Sequence, residues 1–361
     1  MAAQAPATGR RQTQIPTRKI VQGLLSVVLV VVIFWFVFKG IDVSQVWNQI
    51  RAMTWLELTT LLAVAIWNLV TYLLVWVAVT PGLSYPQAMT LTQSGTAVAN
   101  TVPGGAAIGI GLTYAMLGSW GFSKSRATLA ILVSGVWNSF VKLGLPVLAL
   151  ALVALQGNAS PARVTAALIG IGALAGAVAV FAAMLRSEQG ARRVGELAGR
   201  AASRCLRLLG RPPVHGWELA TVKFRVRTIG LLHDRWPWIT AVSLLSHLSL
   251  YLVLLLTLRH VGVSNAAVSW AEVLAVFAFA RLATALPFTP GGLGVVEGVL
   301  IGGLVAAGGD KVKVVAAVLV YRALTWLLPV PVGVGTYLWW RRRSIAPATE
   351  EAPSPVGVGA P

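Results

Sequence analysis

Apolar residues run along this chain in blocks of about twenty, separated by short polar or basic segments. Residues 20–38 (IVQGLLSVVLVVVIFWFVF), 58–79 (LTTLLAVAIWNLVTYLLVWVAV), 126–155, 162–185, 238–258 and 312–339 each reach the length of helix needed to cross a hydrocarbon core about 30 Å thick. Two further regions, 88–118 and 268–308, are apolar but broken. TVPGG divides the first into pieces of 88–102 and 106–118, each too short to span, and a Pro-Gly-Gly at 290–292 divides the second. The mixed stretch 42–55 (DVSQVWNQIRAMTW) has the character of an interfacial segment.

The basic residues orient these blocks. Between Arg186 and Arg235 there are eleven Lys/Arg against four Asp/Glu, and RRR stands at 341–343. Positive residues gather on the cytoplasmic side of a membrane protein. With a cytoplasmic N-terminus, 20–38 runs outward and 58–79 returns; 126–155 runs outward and 162–185 returns to the basic segment. The region 88–118 therefore leaves and re-enters the cytoplasmic side. By the same parity 238–258 runs outward and 312–339 returns to RRR, so 268–308 begins and ends outside. The expected fold is an all-α integral membrane protein of about six full transmembrane helices plus two Pro-Gly-Gly re-entrant hairpins, 88–118 and 268–308, in an inverted repeat. For 268–308 a pair of full spans stays open, because its halves are longer.

Composition agrees: 57% of residues are hydrophobic and 11% charged, with a mean hydropathy of +0.76. Soluble domains carry about 25% charge. The first block is too long for a signal-peptide core and lacks a small-residue cleavage site, so it reads as a retained helix. The domain boundaries expected are a basic cytoplasmic tail 1–19, a first membrane half 20–185, a basic cytoplasmic loop 186–237, a second membrane half 238–340 and a cytoplasmic tail 341–361. The net charge of +18 lies beside the membrane and not in a nucleic-acid module. One cysteine, Cys205, and four scattered histidines support neither a disulfide framework nor a metal site, and no cofactor is expected.

Inverted repeats place substrate near the midplane, where broken helices turn half-helix ends and free backbone groups toward a cavity. That reading puts Pro103, Gly104 and Gly105 at one tip and Gly291, Gly292 and Gly294 at the other. The plainer alternative is that Gly291, Gly292, Gly294 and Gly298 only permit close helix packing. Ionisable residues at membrane depth add to the picture, since each costs about 2.5–3.5 kcal/mol at a helix centre on insertion scales. Lys142 lies roughly 24 and 18 Å from the two ends of its helix, and Arg322 about 14 Å inside its outer end. Arg281 and Glu297 flank the second tip. Each has a structural alternative: a snorkelling lysine, an arginine capping carbonyls, a glutamate paired with Arg322 to hold the hairpin. His247 reads as a histidine bonded to a neighbouring helix. Together the three cations and one carboxylate suit a lipid phosphate, or an aminoacylated lipid whose ammonium would meet Glu297.

PFTPGGLGVVEG (287–298) followed by VLVYRALTWLLPVPVGVGTY (318–337) resembles the flippase-like membrane domain of the lysylphosphatidylglycerol synthase family over approximately residues 20–340. The resemblance implies a membrane fold associated with lipid translocation, with a cytoplasmic aminoacyl-transferase domain only in bifunctional members. Here the chain ends after RRRSIAPATEEAPSPVGVGAP, so lysyl transfer is not expected. Relatives often carry Gly-Glu-x-x-Arg after the first tip; this chain has GIGLT (109–113), with Ile110 and Thr113 in the acidic and basic places.

In 192–211 the apolar Val194, Leu197, Ala198, Ala201, Cys205 and Leu208 recur at helical spacing, with Arg193, Arg200, Arg204, Arg207 and Arg211 on another face. That pattern predicts a basic amphipathic helix on an anionic cytoplasmic leaflet. No Gly-rich phosphate loop, metal-binding helix or nucleophile elbow occurs, so no enzymatic activity is expected. The function expected is movement of an anionic or aminoacylated phospholipid across the cytoplasmic membrane. The alternatives are a transferase or export component acting on polyprenyl-phosphate-linked sugars, or a non-transporting partner of a separate lipid or glycan synthase or transferase.

Overall fold

The computed structural model describes residues 42–102, 105–157, 161–208, 212–284 and 289–345. The expected span 20–38, the tail before it, Pro103, Gly104, Arg211 and the chain beyond residue 345 lie outside the described residues. The helices are α1 (Val43–Arg51), α2 (Trp55–Val79), α3 (Tyr85–Thr101), α4 (Gly105–Ser119), α5 (Lys124–Leu155), α6 (Pro161–Arg186) and α7 (Glu188–Leu208). They continue with α8 (Trp217–His260), α9 (Trp270–Ala283), a 3-10 turn (Pro290–Gly292), α10 (Val295–Ala306), α11 (Lys311–Arg322), a π turn (Ala323–Leu327) and α12 (Pro329–Ile345). Five stretches among the described residues are long and apolar enough to cross a membrane: Trp55–Val79, Lys124–Leu155, Val164–Arg186, Trp217–His260 and Lys311–Ser344. The chain is an all-α, multi-pass membrane protein.

Its scarce carboxylates start helices. Glu57, Glu272 and Glu297 each reach back to a backbone N–H at the head of their own helix, at 2.7, 3.0 and 2.7 Å, while Asp42 and Asp310 accept from Ser44 and Lys313 N–H groups. A helix leaves its first four N–H groups unpaired, and an acid there also complements the macrodipole.

Side-chain contacts show which ends of the helices lie together. At one end of the bundle Arg126 donates to the Pro81 carbonyl at 2.6 Å, and Trp340, next to the RRR run, donates to Ser119 at 2.9 Å. The open base of the α3–α4 hairpin is therefore at the basic end. At the other end Thr60 meets His260 at 3.1 Å and Lys313 donates to the Gly262 carbonyl at 3.4 Å, beside the base of the α9–α10 hairpin. The two hairpins thus enter from opposite ends. Between these ends α2 and α8 are joined by Asn68 and Thr71 to Ser249 at 2.7 and 2.8 Å, and Trp137 of α5 donates to Thr240 of α8 at 2.9 Å. Such bonds between apolar helices average about 0.6 kcal/mol.

Helix α3 lies along α12. Ser94 and Thr336 bond at 3.0 Å, and a Cβ on Gly333 would overlap the backbone of Gln93. Only a glycine lets the two backbones approach this closely. Helix α6 has just 6% of its most apolar window buried among the described residues, the least of the five candidate spans.

Two boundaries differ from the sequence reading. The expected helix 238–258 is the second half of α8, 44 residues or about 66 Å long, continuous through Pro237. Residues 217–237, read as loop, are its first half, and α7 packs against them: Gly195 and Gly199 meet Trp217, and Ser203 accepts from the Val214 N–H at 3.1 Å. Small residues, not the predicted apolar stripe, make this contact. Val194 and Ala198 are half-buried, Leu197 is 61% exposed, and Ala201 and Cys205 are exposed. Arg193, Arg200, Arg204 and Arg207 face outward. The second difference is in 312–339, which is interrupted by the π turn. Pro329 and Pro331 have no N–H to give, and Leu328 bonds five residues back to Ala323 at 2.8 Å.

In a Cys205→Ser background, Lys124→Cys and Ala306→Cys place thiols at the bases of the two hairpins. They are expected to label from opposite sides of the membrane, and labelling from one side would refute opposed hairpins. Gly333→Leu is expected to lower the unfolding midpoint in detergent by the equivalent of about 1–3 kcal/mol, with an unchanged midpoint arguing against the close α3–α12 approach.

Candidate functional site

The second hairpin tip is built around one carboxylate. Glu297 is 3% exposed. Its Oε2 accepts from the Gly294 N–H at 2.7 Å and its Oε1 from Arg322 Nε at 2.6 Å. Arg322 Nη2 then donates to the Gly291 carbonyl at 3.2 Å, and its guanidinium lies 5.8 Å from the centre of the Trp326 ring. One arginine therefore ties the irregular backbone of the tip to the following helix. Unpaired backbone polar groups at membrane depth cost several kcal/mol, which is why such a break needs this kind of satisfaction.

Gly291 is required twice over. Its φ is +58°, and a Cβ there would strike Trp326 Nε1 and Asn100 Oδ1. Asn100 belongs to the other half of the protein: it lies on α3, three residues before Pro103, and donates from Nδ2 to the Trp326 carbonyl at 3.0 Å. The end of the first hairpin's descending helix, the second tip and the π turn therefore meet inside the bundle. Gly292 N donates to the Thr289 carbonyl at 3.1 Å and Thr289 Oγ1 to that of Leu293 at 2.7 Å, closing the turn. Gly105 opens α4 packed on the backbone of Val98 and Ala99; Pro103 and Gly104 are outside the described residues.

Arg281, in the last turn of α9, and Lys142, in the middle of α5, are close enough to feel each other's charge, as are Arg281 and Arg322. Neither Arg281 nor Lys142 has a carboxylate partner among the described residues, and the buried Arg281 Nε has no hydrogen-bond acceptor there. His247 of α8, 7% exposed, stands within range of both cations. Its Nδ1 donates to the Ser243 carbonyl at 2.9 Å and its Nε2 is unpartnered.

An open cleft of about 190 Å³ lies against the first hairpin, with Tyr72, Thr92, Thr96, Ile110, Thr113 and Ser134 among the residues on its walls. The ion pair is not part of it. Tyr72 connects the two regions, lining the cleft and lying within electrostatic range of Arg281. Ile110 and Thr113 line this cleft, and Thr113 Oγ1 donates to the Gly109 carbonyl at 2.9 Å. The cleft hydroxyls were missed by sequence reasoning. Their trace was present: TLTQSGTAVANT (90–101) is unusually rich in hydroxyl and amide side chains for a segment at membrane depth.

A family model described as lysylphosphatidylglycerol synthase TM region matches residues 23–333. No curated protein matches the chain.

The tie through Arg322 makes a stability prediction. Glu297→Gln and Arg322→Gln alone each leave a poorly solvated charge without its partner and are expected to cost about 3–5 kcal/mol. The double variant is expected to recover most of that loss in denaturant unfolding in detergent. Additive losses would show that the pair is not coupled.

Proposed function

The chain belongs to the lysylphosphatidylglycerol synthase transmembrane-region family, and from that premise we propose that it moves an anionic or aminoacylated phospholipid across the cell membrane. Its family gives it a membrane-lipid-related function; translocation is the finer reading. The observation that carries it is the meeting of the two opposed broken hairpins, at Asn100, Gly291 and Trp326, beside a cleft that opens on the first hairpin. A headgroup moving along such a path exchanges one half of the repeat for the other without crossing hydrocarbon.

Charge sets the orientation of this reading. Arg126, Arg186, the arginines of α7 and Arg341–Arg343 share the basic end, which faces the cytoplasm under the positive-inside rule, as do both termini. The exposed Arg193, Arg200, Arg204 and Arg207 present cations toward the anionic cytoplasmic leaflet. The reading assigns the chain no bond-making step; a separate synthase or transferase would supply the lipid.

Purified protein in liposomes with fluorescent lipids on one leaflet tests the proposal. Translocation of at least one anionic or aminoacylated lipid is expected above protein-free vesicles. Gly95→Trp should slow it about tenfold or more, because a side chain at Gly95 meets no atom within 4 Å of its Cβ and extends into the cleft. No movement of any headgroup tested would overturn the proposal.

A further inference from the structure

We propose that α1 is an anchor in the outer leaflet of the bilayer, with Val43 and Trp47 set among lipid and Arg51 turned to lipid phosphate, and that it fixes the depth of the second hairpin. This goes beyond the translocase reading and holds whether or not lipid is moved. Side chains on a helix step round its axis by about 100° per residue. Val46 of α1 is 3% exposed, and with Ile50 and Met53 it joins the buried cluster that holds Val314 and Val315 of α11 and Val261 and Val263 of the segment after α8. Passing round from Ile50, Val43 and Trp47 occupy roughly the next 60° and Arg51 follows. Ser44, Asn48 and Gln45, all exposed, complete the circle. Val43 is 61% and Trp47 51% exposed, so the apolar arc of α1 is wider than the part that protein covers.

A helix lying between protein and water needs one apolar and one polar sector. A further apolar sector, left bare beside the polar one, is the pattern of a helix at the membrane interface. The position of α1 along the bundle fixes what covers that sector. Only residues 52–54 separate α1 from α2, and the first turn of α2 carries Trp55 at 83% and Leu56 at 75% exposure. That turn lies at the end of the bundle where Thr60 meets His260, opposite the basic end. Indole rings favour the headgroup level, and the short link holds α1 there. Arg51 stands where the bare apolar sector gives way to the polar one. Its guanidinium lies 5.0 Å from the centre of the Trp47 ring, and no carboxylate pairs with it among the described residues. A phosphate oxygen at headgroup level supplies the missing partner.

The covered side of α1 packs against α11. Helix α11 begins at Lys311 and ends at Arg322, about 16 Å further along its axis. Half of a hydrocarbon core ~30 Å thick is about 15 Å. Holding the head of α11 at the surface therefore keeps Arg322 at the midplane, together with Glu297 and the Gly291 carbonyl that it bonds.

The full chain in vesicles of phosphatidylcholine and phosphatidylglycerol tests this, in a Cys205→Ser background with an environment-sensitive fluorophore on Val43→Cys or on Gln45→Cys. Lipids carrying a nitroxide high on the acyl chain are expected to quench the probe at 43 about threefold more than the probe at 45. Equal quenching at the two positions would overturn the lipid contact. So would a probe at 43 whose quenching falls as more chains are packed into each vesicle, because a second copy then covers the face. Arg51→Glu should reduce quenching at 43 about twofold by repelling phosphate, and unchanged quenching would remove Arg51 from the surface. The double variant Val43→Ser with Trp47→Ser is expected to keep its unfolding midpoint in detergent; a lowered midpoint would show that these side chains pack on protein. In vesicles the same double variant should change the ratio of quenching by shallow and deep nitroxides about twofold at a probe on Ala306→Cys, the base of the second hairpin. An unchanged ratio would overturn the depth-setting role.

Discussion

The rest of the membrane core depends on how the broken backbone of the second hairpin is satisfied. A helix interrupted at Pro290–Gly292 exposes carbonyls and N–H groups where no bulk water answers them. Glu297 and Arg322 resolve this as a unit: the carboxylate caps the helix that leaves the tip, and the guanidinium bridges that carboxylate to the Gly291 carbonyl. The arrangement fixes α10 to α11 and sets the position of Trp326, against which Asn100 and hence the first hairpin are placed. Each charge in the pair is tolerable only because the other is present.

The two halves are therefore unequal. The second tip is tied by ions, whereas the corresponding stretch of the first carries Ile110 and Thr113, whose side-chain hydrogen bond among the described residues is the local one from Thr113 to Gly109. The cleft opens on the weaker side. Helix α3, facing that cleft, is rich in hydroxyls that mostly bond within their own helix, as Thr90, Thr92 and Thr101 do to Pro86, Met89 and Ala97. The slot they border is mostly apolar, with Thr92, Thr96, Thr113 and Ser134 set among Trp76, Leu91, Ala99, Ile110 and Ile131 and no charged side chain on its walls.

Outside the apolar zone the basic segment is a helical hairpin and not a single helix lying alone. The first half of α8 extends well past the length a membrane needs, and α7 folds back along it through Gly195, Gly199 and Ser203. Trp236 and Trp238, about half exposed, stand where α8 passes from the basic region into apolar sequence. Indole rings favour that interfacial level.

The apolar blocks, the two Pro-Gly-Gly breaks and the placement of Arg and Lys were enough to predict an all-α membrane protein with hairpins of opposite sense, because block length and charge distribution are set by the bilayer and are local properties of the chain. The pairing of Glu297 with Arg322 was also legible, as the one carboxylate at membrane depth and a nearby arginine. That the pair could hold the hairpin was one of the readings open; which backbone atoms it holds, the Gly294 N–H and the Gly291 carbonyl, only the folded tip defines. The same holds for Asn100 at the second tip. Contacts between residues more than a hundred positions apart depend on helix rotation and approach, and no period along the chain records them. The α7–α8 stack followed small residues whose importance appears only when a partner backbone is close, which is why the apolar stripe was the visible signal and the glycines the effective one.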